Sequence, residues 1–227
     1  MTARLAATDL ACRRGERVLF RGLSLSLGPG EALHVTGANG IGKSSLIRML
    51  AGLLRPFSGT IHRAGRIGLL DERHALDMQV DLQTALGFWS ALDGADAPME
   101  RLGLAALRDV PVRYLSTGQK KRAALARLVA QRAPIWLLDE PLNGLDAAGV
   151  QQFEALVAGH LASGGLAVIA SHQAFASGGF VTLSLAEYIP PLRNEEGIEG
   201  WATEAARSDV PLAFQTPIQP SPQGGGA

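Results

Sequence analysis

The stretch Gly37-Ala38-Asn39-Gly40-Ile41-Gly42-Lys43-Ser44 lies between an apolar, strand-like run at 32–36 and a segment at 45–51, beginning Ser45-Leu46-Ile47, that reads as a helix. The glycines let successive backbone N–H groups turn toward one point. This makes an anion nest at a helix N-terminus, where the macrodipole adds positive potential. The order strand, loop, helix therefore predicts a polyphosphate site formed by residues 37–45. Lys43 supplies a mobile charge for the β- and γ-phosphates, and the Ser44 hydroxyl is placed to ligate the Mg²⁺ that accompanies a nucleotide such as ATP. The competing reading is a glycine-rich strand-to-helix turn with a chance Lys-Ser pair.

A chain of 227 residues that is 47% apolar is long enough for one sizeable domain with a real core. The 21 basic residues balance the 21 acidic ones, which disfavours nucleic acid as a partner. Cys12 is the only cysteine, so an internal disulfide is excluded and the residue reads as a small buried apolar group in a reducing compartment. No apolar run is long enough to span a bilayer and no secretory h-region opens the chain, so membrane association is expected to come through a partner.

In chain order, residues 5–12 and the Leu-Ser alternation at 22–27 predict strands leading into the nucleotide loop, followed by a short strand near 58–61 and another at 65–70 that ends at Asp71-Glu72. Apolar residues at helical spacing from 82 to 107, interrupted by Gly94 and Pro98, predict a small helical subdomain within about 73–133. Phe88 and Trp89 there read as core or partner-facing residues in preference to a base-stacking platform. A second helix is expected at 120–130, after the Leu115-Ser116-Thr117-Gly118-Gln119 turn. The runs 135–138 and 166–170 suit strands buried on both faces of a parallel sheet. The first ends in Asp139-Glu140, and carboxylates at the C-terminal end of such a strand face the ligand crevice. A helix is expected at 149–161 and a last strand at 180–185, which completes an α/β fold with crossover helices. Residues 1–188 form the expected domain. The Pro-, Gln- and Gly-rich stretch 189–227 reads as a disordered tail, in which Trp201, Leu212 and Phe214 leave room for docking.

Four apolar residues followed by Asp139-Glu140 form a Walker B strand. Asp139 holds Mg²⁺ through water, and Glu140 orients and deprotonates the water that attacks the γ-phosphate. His172, at the end of the next buried strand, is placed to donate to the γ-phosphate, a role that depends on the other motifs being real.

With these pieces in place, the chain resembles the nucleotide-binding subunits of ABC transporters over about residues 5–185. Leu115-Ser116-Thr117-Gly118-Gln119 looks like that family's LSGGQ signature, Asn143-Gly144-Leu145-Asp146 like its D-loop, and His172 like its switch histidine. The resemblance implies an ABC-type P-loop NTPase with a RecA-like core, an N-terminal antiparallel β part and a small helical subdomain. It also implies a head-to-tail dimer in which Ser116, Gly118 and Gln119 of one chain meet the ATP held by the other. Two departures stand out. Where many members stack an aromatic residue on adenine, this chain has Arg13-Arg14, whose guanidinium planes offer a cation–π contact or remain solvated charge. Where a Q-loop glutamine is usual, Glu72 is the nearest match and would coordinate Mg²⁺ or water.

Within the family, the short subunit, the opening at 10–20, the missing Q-loop glutamine and Pro141-Leu142-Asn143-Gly144-Leu145-Asp146 most resemble the ATPase subunits of cytochrome c biogenesis (haem exporter) complexes. That resemblance implies a peripheral subunit at the cytoplasmic face of a bacterial inner membrane, with a CcmB-like integral permease and CcmC- and CcmD-like subunits. ATP hydrolysis there serves haem delivery by releasing a haem-loaded chaperone. His34, His62, His74 and His160 lack a haem-attachment pattern, so haem is not expected on this chain itself. The alternatives are the ATPase subunit of another ABC importer or exporter, or a soluble ABC machine; the latter would require tandem cassettes, coiled-coil insertions or basic arms that the sequence lacks.

Overall fold

The computed structural model describes residues 2–173, 175 and 180–190. The stretch 191–227, which is the expected 189–227 tail apart from its first two residues, lies outside the described residues. Strands β1 (Arg4–Arg14) and β2 (Arg17–Leu27) form a hairpin, followed by β3 (Ala32–Thr36), helix α1 (Lys43–Leu50), β4 (Ser58–Ala64) and β5 (Ile67–Leu70). Helices α2 (Leu82–Asp93) and α3 (Thr117–Ala130) come next, then β6 (Ile135–Asp139), α4 (Ala147–Ala162), β7 (Leu166–Ala170) and β8 (Val181–Ser184). The antiparallel sheet has the order β2-β1-β4, and a five-stranded sheet has the order β5-β6-β7-β3-β8 with every pairing parallel.

The parallel sheet follows from sequence composition. Every residue of β6 and β7 is buried, and β3 is buried except at Thr36, as strands covered on both faces require. Their parallel register brings all C-terminal ends to one edge: Leu70 beside Leu138, Asp139 beside Ala170, and Val35 beside Ala170. The loops after β3, β5, β6 and β7 therefore open onto the same crevice.

The first two strands are longer than their alternation suggested. Charged residues at Arg13, Arg14, Arg17 and Arg21 occupy exposed positions of the hairpin and hide the pattern. The expected helix through 99–107 is instead a series of turns ending in a 3-10 turn, Ala105–Leu107, with Gly103 at a φ of 65°. Met99, Leu102 and Leu104 are buried from these turns as they would be from a helix, so apolar spacing alone did not separate the two. The segment also satisfies the start of α2: the Leu82 and Gln83 N–H groups donate to the carbonyls of Val110 and Arg108, and the Asp81 carboxylate accepts from the Thr84 N–H at 2.8 Å.

The helical region is continuous with the core. Leu82, Leu86, Leu102, Leu104, Leu125 and Leu128 belong to one apolar cluster with Trp136, Leu138, Phe153 and Ile169. Trp89 is half-buried; its indole N–H donates to the Ala75 carbonyl at 2.8 Å, and the Arg127 guanidinium lies 3.5 Å from its ring centroid. Phe88, by contrast, is 60% exposed.

Three histidines sit inside this scaffold. His160 stacks on Trp136 with centroids 3.9 Å apart and contacts the Leu166 carbonyl through Nε2, and burial holds the imidazoles of His34, His74 and His160 below their ordinary pKa. A lowered pKa means that the unfolded chain binds more protons, so this contribution to stability is complete above about pH 6.5 and is lost as pH falls below it. The thermal midpoint should fall between pH 7.5 and 5.5. His160→Phe, which keeps a ring on Trp136 without a titrating group, should flatten part of that slope in calorimetric scans across the range.

Candidate functional site

The crevice at the strand ends is a cleft of about 530 Å³ lined by Arg14, Asn39, Gly40, Lys43, Ser44, Ser45, Glu72, Glu140, Asn143 and His172, with Leu19 and Gly42 behind them. It draws on β1, the loop between β3 and α1, and the ends of β5, β6 and β7. A second cavity of about 410 Å³, lined by Arg101, Arg132, Trp136 and His160, lies at the opposite ends of β6 and β7 and has no carboxylate in its wall.

The loop from 37 to 42 takes the conformation its glycines permit, with φ of 144° at Gly37, 78° at Gly40 and 120° at Gly42, the residue that immediately precedes α1. Lys43 is 5% exposed and folds back over the loop. Its ammonium donates to the carbonyls of Gly37 at 2.7 Å and Ala38 at 3.3 Å and lies 3.5 Å from Glu140 Oε1. The other carboxylate oxygen, Oε2, is 2.9 Å from His172 Nδ1. An ionised carboxylate only accepts, so this contact places a proton on Nδ1. Glu140 is therefore held between Lys43 and His172, and its backbone is also constrained: φ is 46°, in the left-handed region, and its N–H donates to the Ala170 carbonyl at 2.8 Å.

Asp139 is 3% exposed. Burial raises its carboxyl pKa above the ordinary range, a side-chain hydrogen bond with Ser44 lowers it, and the charges of Glu140 and Glu72 raise it further. One of its oxygens, Oδ1, is buried without a partner. A buried, partnerless carboxylate oxygen beside a serine hydroxyl fits a hard divalent cation that keeps most of its ligands from water and phosphate. Glu72 is exposed on the wall of the same cleft.

Of the two arginines, only Arg14 lines the cleft. Arg13 faces the opposite side of β1, as strand alternation dictates, with its guanidinium 4.6 Å from the Phe57 ring centroid. Arg13 is thus not brought to the nucleotide cleft, contrary to the sequence expectation.

The signature turn also lies outside the cleft lining. Ser116 is the N-cap of α3: its hydroxyl accepts from the Gln119 N–H at 3.2 Å, and the Gln119 side-chain oxygen accepts from the Ser116 N–H at 2.8 Å. The Gln119 amide oxygen is therefore committed to capping. Gly118 has a steric reason to be glycine, because a Cβ there would lie 2.5 Å from the Gly144 carbonyl oxygen.

Sequence reasoning missed Lys121. This lysine is 4% exposed, with its ammonium 3.3 Å from the Glu140 carbonyl oxygen. Burial lowers its pKa, while the charges of Asp139, Glu72, Asp71 and Glu140 oppose that shift. Its position three, four and seven residues before the buried Ala124, Leu125 and Leu128 was the available signal.

The ABC transporter family model matches residues 20–143. The chain is 58% identical over 186 residues to the cytochrome c biogenesis ATP-binding export protein CcmA of Novosphingobium aromaticivorans, covering 82% of this chain and 97% of that protein. It is 50% identical to the CcmA of Zymomonas mobilis, over 82% of this chain and 86% of that one. The chain belongs to the CcmA family of ABC transporter ATP-binding proteins. Among solved structures, an ATP-binding subunit of an ABC transporter superposes with a TM-score of 0.67 at 20% identity, covering 74% of this chain and 79% of that one. The ADP conformation of the ATP-binding cassette MJ1267 gives 0.61 at 19%, with 77% and 83% coverage. These show the α/β ABC NTPase fold, and family membership makes this CcmA-family chain an ABC-type ATPase. Among the described residues, no helix is long and apolar enough to cross a membrane.

Lys43 is the buried cation of the loop, so Lys43→Ala should leave the fold intact and weaken ATP binding by about 10-fold or more, the scale of one charge-assisted contact. Isothermal calorimetry checks this, and unchanged affinity in a folded variant would place the nucleotide elsewhere.

Proposed function

We propose that this chain binds ATP with Mg²⁺ in the Lys43 cleft and hydrolyses it as a peripheral subunit on the cytoplasmic face of a bacterial inner membrane, coupling turnover to cytochrome c biogenesis. The observation that carries the hydrolytic reading is Glu140, a carboxylate on a buried strand end within 3.5 Å of Lys43 and 2.9 Å of His172. The biogenesis role rests on the names of the CcmA relatives.

In this reading the N–H groups of residues 37–45 surround the β- and γ-phosphates, and Lys43 exchanges its carbonyl and Glu140 partners for phosphate oxygens. Arg14, which lines the cleft, would cover the base with its guanidinium plane. Ser44 and Asp139 would hold Mg²⁺, with the Glu72 carboxylate as a further oxygen donor in the same cleft, and the ion would supply neutralisation of the phosphate charge. Glu140, freed from Lys43, orients and deprotonates the attacking water, and His172 turns its donor to the γ-phosphate. The helix start at Ser116-Thr117-Gly118 supplies a second anion contact to the nucleotide of a head-to-tail partner copy. Residues 1–188, with a helical subdomain at about 73–133, form the ATPase domain. A CcmB-like permease, with CcmC- and CcmD-like subunits, completes the complex, and haem is handled there and not on this chain.

Glu140→Gln should still bind ATP but hydrolyse it about 10²–10⁴-fold more slowly in single turnover, the range for removing a positioned general base. Near wild-type single-turnover hydrolysis would remove Glu140 from that role. Affinity purification from membranes should bring down a polytopic permease encoded with cytochrome c biogenesis genes; recovery of an unrelated transporter subunit would redirect the assignment.

A further inference from the structure

The start of α3 is joined to the segment after β6 by two contacts within one chain. Gly118 sits so close to Gly144 that only a glycine fits, and one turn later Lys121 reaches inward from the buried face of α3 to the Glu140 carbonyl at 3.3 Å. That carbonyl also accepts from the Asn143 N–H at 3.3 Å, so Lys121 and the 140–143 turn converge on one oxygen. The residue they hold is the one with a φ of 46°, a conformation that costs a non-glycine residue free energy and persists only where its surroundings impose it. A buried ammonium is costly unless it is paired, and this one lies in the field of Asp139, Glu72, Asp71 and Glu140. An apolar side chain of the same length would pack at this position at lower cost, so the cation needs a reason beyond stability.

We propose that Lys121 is a positioning residue for hydrolysis: by binding the Glu140 carbonyl it holds the strained turn that aims the Glu140 carboxylate and ties that aim to the placement of the signature helix. The mechanism rests on the assignment of Glu140 as general base. Lys121 lies outside the wall of the Lys43 cleft, so its loss should leave ATP affinity alone and act on the chemical step. The carbonyl contact keeps the carboxylate near the attacking water once Lys43 has been taken up by the nucleotide. A misplacement of about 1 Å at such a group costs on the order of 10²-fold in rate.

Lys121→Met keeps the length and packing of the side chain and removes only the charge and the donor. With the full chain and its membrane partner, Lys121→Met should lower kcat by about 10–10²-fold with KM for ATP unchanged and no fall in the thermal midpoint. In single-turnover measurements, adding Lys121→Met to Glu140→Gln should slow hydrolysis no further, because both changes remove the same aimed carboxylate. Wild-type kcat in Lys121→Met, or a loss of kcat matched by a raised KM and a lower thermal midpoint, overturns the positioning role while a slow Glu140→Gln leaves the general-base assignment standing. Multiplicative slowing in the double variant overturns it as well. Full turnover in Glu140→Gln overturns the general-base assignment, and the positioning role with it.

Discussion

The site depends on where the parallel register puts one carboxylate. Asp139 pairs beside Ala170, the Glu140 N–H donates to the same Ala170 carbonyl, and the chain then turns through a left-handed residue. That turn sends the Glu140 side chain toward the glycine loop on one side and His172 on the other. Lys43 and His172 are both engaged by Glu140. A buried lysine and a nearly buried carboxylate satisfy each other, so the Lys43 ammonium is not left buried and unpaired. In the proposed function, ATP would compete with Glu140 for those donors, and displacing the carboxylate would free it to act on water. Binding and activation are then one exchange of partners.

The signature helix has two kinds of relation to this centre. Its exposed first turn is capped locally by Ser116 and Gln119, which leaves that end available to another molecule without a loss of helix stability. The same turn packs Gly118 against Gly144, and in the buried second turn Lys121 reaches the Glu140 carbonyl, so the helix start is joined to the 140–144 segment. Within the CcmA-family reading, a contact made by the first turn to a partner's nucleotide would be felt at Glu140 through rigid packing over a short distance.

Much of this was legible in the order of residues. The glycine loop announced itself through strand, loop and helix, and β6 and β7 through unbroken apolar runs ending in Asp139-Glu140 and Ser171-His172, because burial on both faces leaves no other composition. Part of what was hidden lies in side chains whose partners are distant in sequence. The contact from Glu140 to His172 spans 32 positions and that from Lys121 to Glu140 spans 19, and no local pattern encodes either. Lys121 was passed over because a lysine in a cation-rich helix is usually solvated, although its place on the Ala124-Leu125-Leu128 stripe marked it as buried. Arg13 and Arg14 were inseparable until strand alternation sent one to Phe57 and the other to the cleft. The turns at 99–107 mimicked a helix because Met99, Leu102 and Leu104 keep helical spacing without a helical backbone.

In the proposed function each hydrolytic site is shared between two copies, because the Ser116-Gly118 turn lies outside the Lys43 cleft of its own chain. The direct measurement is ATPase activity of a mixture of Lys43→Ala and Ser116→Asp chains, in the presence of the membrane partner. Aspartate preserves the N-cap of α3 while setting a negative charge against the phosphate, so it tests the anion contact and not the helix. Each variant alone has no complete site, whereas a mixed dimer has one. The account predicts that two inactive proteins recover activity on mixing, up to about a quarter of the wild-type rate if chains assort freely and the two sites act independently. A mixture that stays as inactive as its parents, although mixed dimers are shown to form, would contradict it.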